Sequence, residues 1–537
     1  MRRSKIFTRL LAAVMVATAM LAATAQAGPR ATKDTLVMAV QEIGTTLDTR
    51  TYQANHVTIL QATQEPLLFY KQRLLKNRTI PTFDPTGYEP GLATSWKLAA
   101  DGKSITLNLR KGVRSFFGNE FTSADVEWTV SRNNFYTSLG AGFAYGQAGI
   151  DPANPLTVID KYTVRFNLAN ASPNLEKILN FHWISPIDST EAKTHATSTD
   201  PWAQGWFATN TSGFGPYSVT SYQPGVSATL EANPNYYGTK PTIKRIVMRV
   251  IPDPGQRQQL LESGAVQLVP DLPRVQLVKL QENKKVKVEF ARSTRMLYLL
   301  MNNNFKPFDN VWVRQAIANA LPVDDIIKTA YQGTATKALG PVSPQLQYHR
   351  SDLWKFKTPD LAKAKQLLAK GGYPNGFDID LQYSLSNPGP ENAQVAVTVQ
   401  NALKAIGINV TLKQATSDAD YFAQMLAKKI PFGLGGTAPF VADPGYQLFN
   451  TGLPTGPSAF AAFNHQPFTD AVTASTKTVD PKVRKNLIWT AQTMWNFFVP
   501  MFPIVEPNYG IASAPNVTGW SVQSTGFPLL GRVTYTS

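Results

Sequence analysis

From Phe377 onwards the chain alternates strand-like and helix-like stretches, and that rhythm limits its folds more than any other feature. Phe377 to Tyr383 reads as a strand, Val395 to Ile406 as a helix running into Gly407, and Val410 to Lys413 as a strand. A helix from Tyr421 to Ala427 and a short strand from Phe432 to Gly436 follow. Such a βαβ-like succession argues for an α/β lobe. Just upstream, Asp360 to Ala369 (DLAKAKQLLA) reads as an amphipathic helix stopped by Gly371, Gly372 and Pro374. At 537 residues the chain is too long for one compact core, so two or three domains are expected.

Gly87 to Arg132 predicts a β-hairpin followed by a helix. Trp96 and Leu98 alternate on the first strand, and Asp101-Gly102 offers a turn in which glycine takes the positive φ that a short hairpin needs. Ile105, Leu107 and Leu109 alternate with Thr106 and Asn108, giving one buried and one wet face. Thr122 and Ser123 supply capping hydroxyls to a helix from about Ala124 to Arg132, with Asp125 near its positive end. Elsewhere Thr35 to Val40 reads as a first strand, then a polar loop through Gly44, Thr45, Thr46 and Asp48, then a helix from about Ala54 to Gln64. Tyr162 to Leu168, Tyr217 to Tyr222, Ala228 to Ala232 and Ile243 to Ile251 are further strands, and Gln256 to Ser263 a helix. Arg295 to Asn302 (RMLYLLMN) is an apolar strand expected to mark a crossing between lobes. Pro500 to Tyr509 is extended and suits a return to the first lobe.

Residues 1–27 read as a sorting signal. Arg2, Arg3, Lys5 and Arg9 form a basic start, Leu10 to Ala23 an apolar run shorter than a bilayer span, and Ala25-Gln26-Ala27 a cleavage site. The mature protein is therefore expected outside the cytoplasm, in the periplasm of a bacterium with two membranes. The formal charge of +16, less these four cations, leaves +12. The basic residues are scattered, whereas a nucleic-acid binder concentrates them on one face, so no nucleic-acid partner is expected. The chain has no cysteine. That excludes disulfides, thiolate zinc sites, a cysteine nucleophile and a lipid-anchored cysteine.

The catalytic inventory is poor. His56, His182, His195, His349 and His465 show no HExxH spacing, and there is no G-x-S-x-G elbow and no Walker loop. Gly140 to Gly149 is glycine- and aromatic-rich, but no strand precedes it and Pro152 and Pro155 follow, which is wrong for a nucleotide fingerprint. No metal, no cofactor and no enzymatic activity are expected.

Several separated segments nonetheless have distinctive wording. They include Leu92, Ala93, Ser95, Trp96, Asp101, Gly102, Leu109, Arg110, Gly112, Val113, Phe121, Thr122, Asp125 and Val126, then the turn Ser212 to Tyr217 and the loop Asn233 to Gly238. Gly264 to Gln267 follows, with Gln267 in place of an aspartate, and then Pro307 to Ile317. In order and spacing these resemble the extracytoplasmic solute-binding proteins of the peptide and nickel class, which serve ABC importers. The resemblance covers nearly the whole mature chain.

It implies an α/β fold: a two-lobed periplasmic binding protein of the class II type with an additional third subdomain. By that likeness lobe I takes residues 28–58, 205–295 and 500–537, the extra subdomain 59–204, and lobe III 296–499. A monomer would capture a solute, nominally a peptide, between the lobes and deliver it to an inner-membrane permease driven by its ATPase. Gly44, Thr45 and Thr46 would form part of the cleft wall, or else a solvent loop; Gly436, Thr437, Phe440 and Asp443 would be further ligand-binding residues. In peptide-binding relatives an aspartate three residues before an Asp-Pro pair holds the peptide's amine, with a tryptophan a few residues earlier. Here the pair is Asp443-Pro444, the aspartate's place is Phe440 and the tryptophan's is Thr437. An apolar ring cannot balance an ammonium in a desolvated cleft; alternatively Phe440 packs in a core and the alignment is offset by a residue or two. Three readings stay open. They are a peptide receptor with another anchor (Asp418, Asp420 or Asp443), a receptor for a non-peptide solute such as a sugar conjugate, opine-like compound or aromatic acid, and a secreted hydrolase or adhesin on the same fold.

Overall fold

The computed structural model describes residues 34–51, 56–76, 80–135, 145–146, 148–270, 272–386, 389–437, 441–523 and 528–536. The sorting signal 1–27 and Phe440 lie outside them.

Thr35–Val40 (TLVMAV) is buried on both faces, as its unbroken apolar run requires. Leu36, Met38 and Val40 join one core with Ile59, Tyr217 and Leu230, while Val37 and Ala39 join another with Leu261, Leu277 and Leu280. This strand centres a seven-stranded sheet in the order 287–291, 509–513, 268–269, 35–40, 245–250, 227–232, 217–223. It runs parallel to Arg245–Val250 and to Leu268–Val269. Helix Pro254–Glu262 starts where the Asp253 carboxylate accepts the Gln256 N–H at 2.6 Å, with proline in the first turn.

The strand–helix rhythm from Phe377 builds the second sheet, in the order 335–337, 501–507, 296–301, 432–437, 377–383, 408–414. Phe377–Tyr383 is parallel to both Ile408–Gln414 and Phe432–Thr437, with helix Asn392–Lys404 as a crossover. One expectation needs correction. Met501–Pro507, grouped above with the first lobe, pairs antiparallel with Met296–Met301 inside this second sheet. All seven of its residues are buried, as suits a strand with a neighbour on each side. The return to the first sheet comes only at Tyr509–Ser513.

The predicted hairpin forms one side of a third sheet, in the order 93–98, 104–109, 163–167, 156–160, covered by helix Ser123–Phe135. Gly102 turns it at φ +69°. At the helix start Thr122 Oγ1 accepts the Ala124 N–H, and the Asp125 carboxylate reaches back to the Thr122 N–H at 2.8 Å. A further small sheet joins 68–73 and 82–90 to 521–522 and 528–529 near the other end of the chain.

Two short crossings connect the large sheets, 292–295 and Asn508. They lie side by side, because Ala291 pairs with Tyr509 on one side and Leu297 with Val505 on the other. In the second sheet Thr437 is opposite Met296, so the C-terminal end of its strand faces the crossings. In the first sheet 268–269 runs towards Tyr509, and Thr35–Val40 runs with it. The C-terminal edges of the parallel strands in both sheets therefore point at each other across the crossings. In open α/β sheets that edge is where ligands bind.

Candidate functional site

From the first sheet, the loop after Val40 brings Gly44 buried, Thr45 exposed and Thr46 half-buried. The Tyr222 hydroxyl donates to the Gly44 carbonyl, and the Thr46 carbonyl lies 2.8 Å from His56 Nδ1. Burial would raise the Asp48 carboxyl, but Arg132 (3.1 Å to each oxygen) and Arg50 outweigh it and hold it lowered. The loop is thus fixed from beneath, with Thr45 and Thr46 presented outwards. A cavity of about 500 Å3 opens beside it, lined by Thr46, Asp48 and Thr51 on one side and by Asp200 and Gln204 on the other.

From the second sheet, Gly436 and Thr437 end their strand at the edge facing the crossings, opposite Leu297 and Met296. Asp443 is fully buried and caps helix Pro444–Gly452 through the Tyr446 N–H at 2.9 Å. Its carboxylate also accepts from Arg484 Nη2 at 2.6 and 2.7 Å and from Lys177 Nζ. Burial would raise this carboxyl, yet Arg484 and Lys177 hold it far below the ordinary range. With both oxygens engaged, Asp443 ties the second lobe to helix Leu175–Ile178 and is not available to a solute amine. The alternative anchors fare little better: Asp418 accepts from the Ser384 hydroxyl, and Asp420 lies exposed beside Gln424.

The lobes touch across the edge. The Arg274 N–H donates to Glu391 Oε1 at 2.9 Å, joining the loop after 268–269 to the loop after 377–383. A group that sequence reasoning missed lies at the crossings themselves. Glu506, on the last strand before the Asn508 crossing, is fully buried. Arg292 Nη2, from the other crossing, stands 3.4 Å from its Oε2. Ser343, Gln345 and the Tyr298 phenol also face it. Burial pushes this carboxyl up to about 7. Gln345 donates to the Ser293 carbonyl, and Gln447 accepts from the Ser343 N–H. Glu506 Oε1, Gln345 Oε1, Gln447 Nε2 and Arg292 Nε are buried with no hydrogen bond among the described residues. Buried polar atoms are nearly always paired, so this group has hydrogen-bonding capacity left over. A lone acid inside the apolar run MFPIVEP was the signal available in sequence.

These features give two large lobes whose strand edges face each other across the crossings. The model of the bacterial extracellular solute-binding proteins, family 5 (middle region), matches residues 87–459, well over half of the chain. The chain belongs to that family: it is a solute-binding receptor of the kind that serves ABC importers, and the family's members are binding proteins. It is 27% identical over 461 residues to heme-binding protein A of Haemophilus influenzae, spanning 82% of this chain and 83% of that one. With the dipeptide-binding protein of Escherichia coli it shares 26% over 458 residues, covering 81% and 84%. The periplasmic binding protein DppA from Helicobacter pylori, solved in complex with the peptide STSA, superposes with a TM-score of 0.79. That match has 24% identity and covers 94% of this chain and 98% of the other, which establishes the shared fold. Among the described residues no helix is long and apolar enough to cross a membrane.

Proposed function

We propose that this receptor captures a short peptide between its two large lobes and hands it to an inner-membrane permease powered by a separate ATPase. The observation that carries the reading is the meeting of the two large sheets at their facing strand edges, with buried, unpaired polar atoms beside the crossings. Closure over a solute there removes water from its polar groups and gives the permease a distinct shape to recognise. The dipeptide-binding relative favours peptides as the class. On this reading residues 1–27 direct export and are removed, no lipid tether follows because there is no cysteine, and the mature protein acts as a periplasmic monomer. Gly44, Thr45, Thr46, Gly436 and Thr437 line the solute's path.

A second reading, a non-peptide solute such as an opine-like compound or sugar conjugate, is favoured by two facts. Phe440 stands where an amine-binding aspartate is expected, and Asp443 is fully paired. Native mass spectrometry of protein purified from its own periplasm separates the two. A ladder of peptide masses released on denaturation supports the first reading; a single defined non-peptide mass supports the second and sinks the first.

A further inference from the structure

Lys177 and Asp443 meet between two bodies that the chain does not join directly. Lys177 sits on helix Leu175–Ile178, whose Leu175 and Ile178 pack into the core of the third sheet with Ile105, Leu107 and Phe166. Asp443 caps a helix of the second lobe. The chain passes from the third sheet to the second by way of the first sheet and the crossing 292–295, and it leaves the second sheet through Asn508. Rotation about the crossings therefore parts Lys177 from Asp443.

Each side of this contact is complete without the other. An ammonium has three N–H donors. Lys177 Nζ has two acceptors beside its own helix, the Pro173 carbonyl at 3.1 Å and Asn174 Oδ1 at 3.5 Å, and its third donor goes to Asp443. The Trp96 indole steadies the same helix by donating to Glu176 Oε1 at 2.7 Å. On the other side, Arg484 Nη2 reaches both Asp443 oxygens, at 2.6 and 2.7 Å, and the Tyr446 N–H reaches Oδ1 at 2.9 Å, all within the second lobe. A buried ion pair that serves only stability strands a charge when it breaks. Parting this one leaves a carboxylate still paired and an ammonium that gains water. Around the pair the contact is dry and apolar. Val441 and Tyr446 of the second lobe are buried in the core of the third sheet, with Leu92, Phe166 and Trp183. The hairpin turn at Gly102 abuts Val479, whose Cγ1 would lie 2.8 Å from an added Cβ.

We propose that the Lys177–Asp443 pair is a closure latch, which holds the second lobe against the body of the third sheet independently of the solute. Part of the stability of the closed form is then built into the protein, and a bound solute leaves only after the latch has parted.

The test measures the closed-to-open ratio directly. The chain has no cysteine, so spin labels attach only where cysteines are introduced, by Glu127→Cys on helix Ser123–Phe135 and Lys404→Cys on helix Asn392–Lys404, both exposed. Label separations are read by double electron–electron resonance on mature protein stripped of solute by unfolding and refolding, with none added. The otherwise native protein is expected to show one main, short distance. Lys177→Met is expected to add a longer one, with the closed-to-open ratio lowered about 10- to 100-fold, the worth of a charge-assisted hydrogen bond. Lys177→Gln, which keeps a donor for the Pro173 carbonyl, gives the same readout if Lys177→Met fails to fold. A pair that only stabilises the fold would lower the melting temperature and leave the distances alone. Native-like distances in the folded variant therefore overturn the latch, as does a native protein that is already mostly open.

Discussion

Replacing Asp443 by Asn should cost the second lobe several kilocalories and should do so through two cations. Asp443 is fully buried and is the shared partner of Arg484 and Lys177, whose side chains are 7% and 12% exposed. Asparagine keeps the shape and the helix cap but removes the charge, leaving two nearly dry cations without their counter-ion. Breaking a buried pair in this way costs roughly 3–5 kcal/mol, and for a lobe of this size each kcal/mol lowers Tm by about 2–4 °C. A fall of the order of 10 °C in the transition of that lobe is the expectation, read by calorimetry at pH 7. The pH dependence follows from the lowered carboxyl. The unfolded chain takes up the proton first, so the stabilisation is present above about pH 4 and disappears as pH falls towards the lower folded value. The variant should therefore lose its difference from the native protein in acid. A double variant, Asp443→Asn with Lys177→Met, should lose less than the sum of the two single changes, because the second substitution removes one of the stranded cations. A single-variant loss below about 1 kcal/mol, or strict additivity, would refute the clamp.

Other predictions are simpler. Burial pushes the Glu65 carboxyl up to about 7 although Tyr237 and Tyr236 donate to it; the folded state holds its proton more tightly than the unfolded one. This group's contribution is therefore full below about pH 4.5 and lost as pH rises through 7, and Glu65→Gln should flatten that loss, worth at most roughly 3 kcal/mol, in urea titrations at pH 5 and 8. Gly376 sits at φ +77° with an added Cβ only 1.8 Å from the Gly407 carbonyl oxygen, so Gly376→Ala should displace the start of the parallel pair 377–383 and 408–414 and lower the yield of folded protein. Glu391→Gln keeps an acceptor for the Arg274 N–H but removes the charge, so solute release, measured by stopped flow, should quicken by only a few-fold, whereas Glu391→Ala should quicken it further.

Much of this architecture was legible because it is written locally. Thr35–Val40 and Phe377–Tyr383 begin and end where their apolar patterns do. The Asp101-Gly102 turn and the Thr122 cap need only their own neighbours. What escaped depends on partners far along the chain. Periodicity marks 501–507 as extended but cannot say which sheet accepts it; only its pairing with Met296–Met301 does. Lys177 and Asp443 are 266 residues apart, so the occupied carboxylate of Asp443 was invisible. The helix Pro481–Phe498, which buries Ile488, Ala491 and Trp495, went unread for a different reason: its apolar stripe is interrupted by buried Arg484, Gln492 and Asn496. Glu506 escaped because one acid in an apolar strand has meaning only once its neighbours from 292, 343 and 345 are in place.

The first sheet has a bearing on the export proposed for this chain. Its central strand, 35–40, is among the first residues to emerge, yet its parallel partners are 245–250 and 268–269, and the sheet takes a further strand from 509–513. Tyr535 closes the arrangement by donating to the Thr35 carbonyl at 2.9 Å, across 500 residues. Pairings so distant along the chain form late. A secretion channel that threads polypeptide in the extended state thus meets a substrate whose first lobe has no means of completing itself until the tail has passed through. On the proposed export, topology would postpone the finished first lobe until the whole chain has crossed.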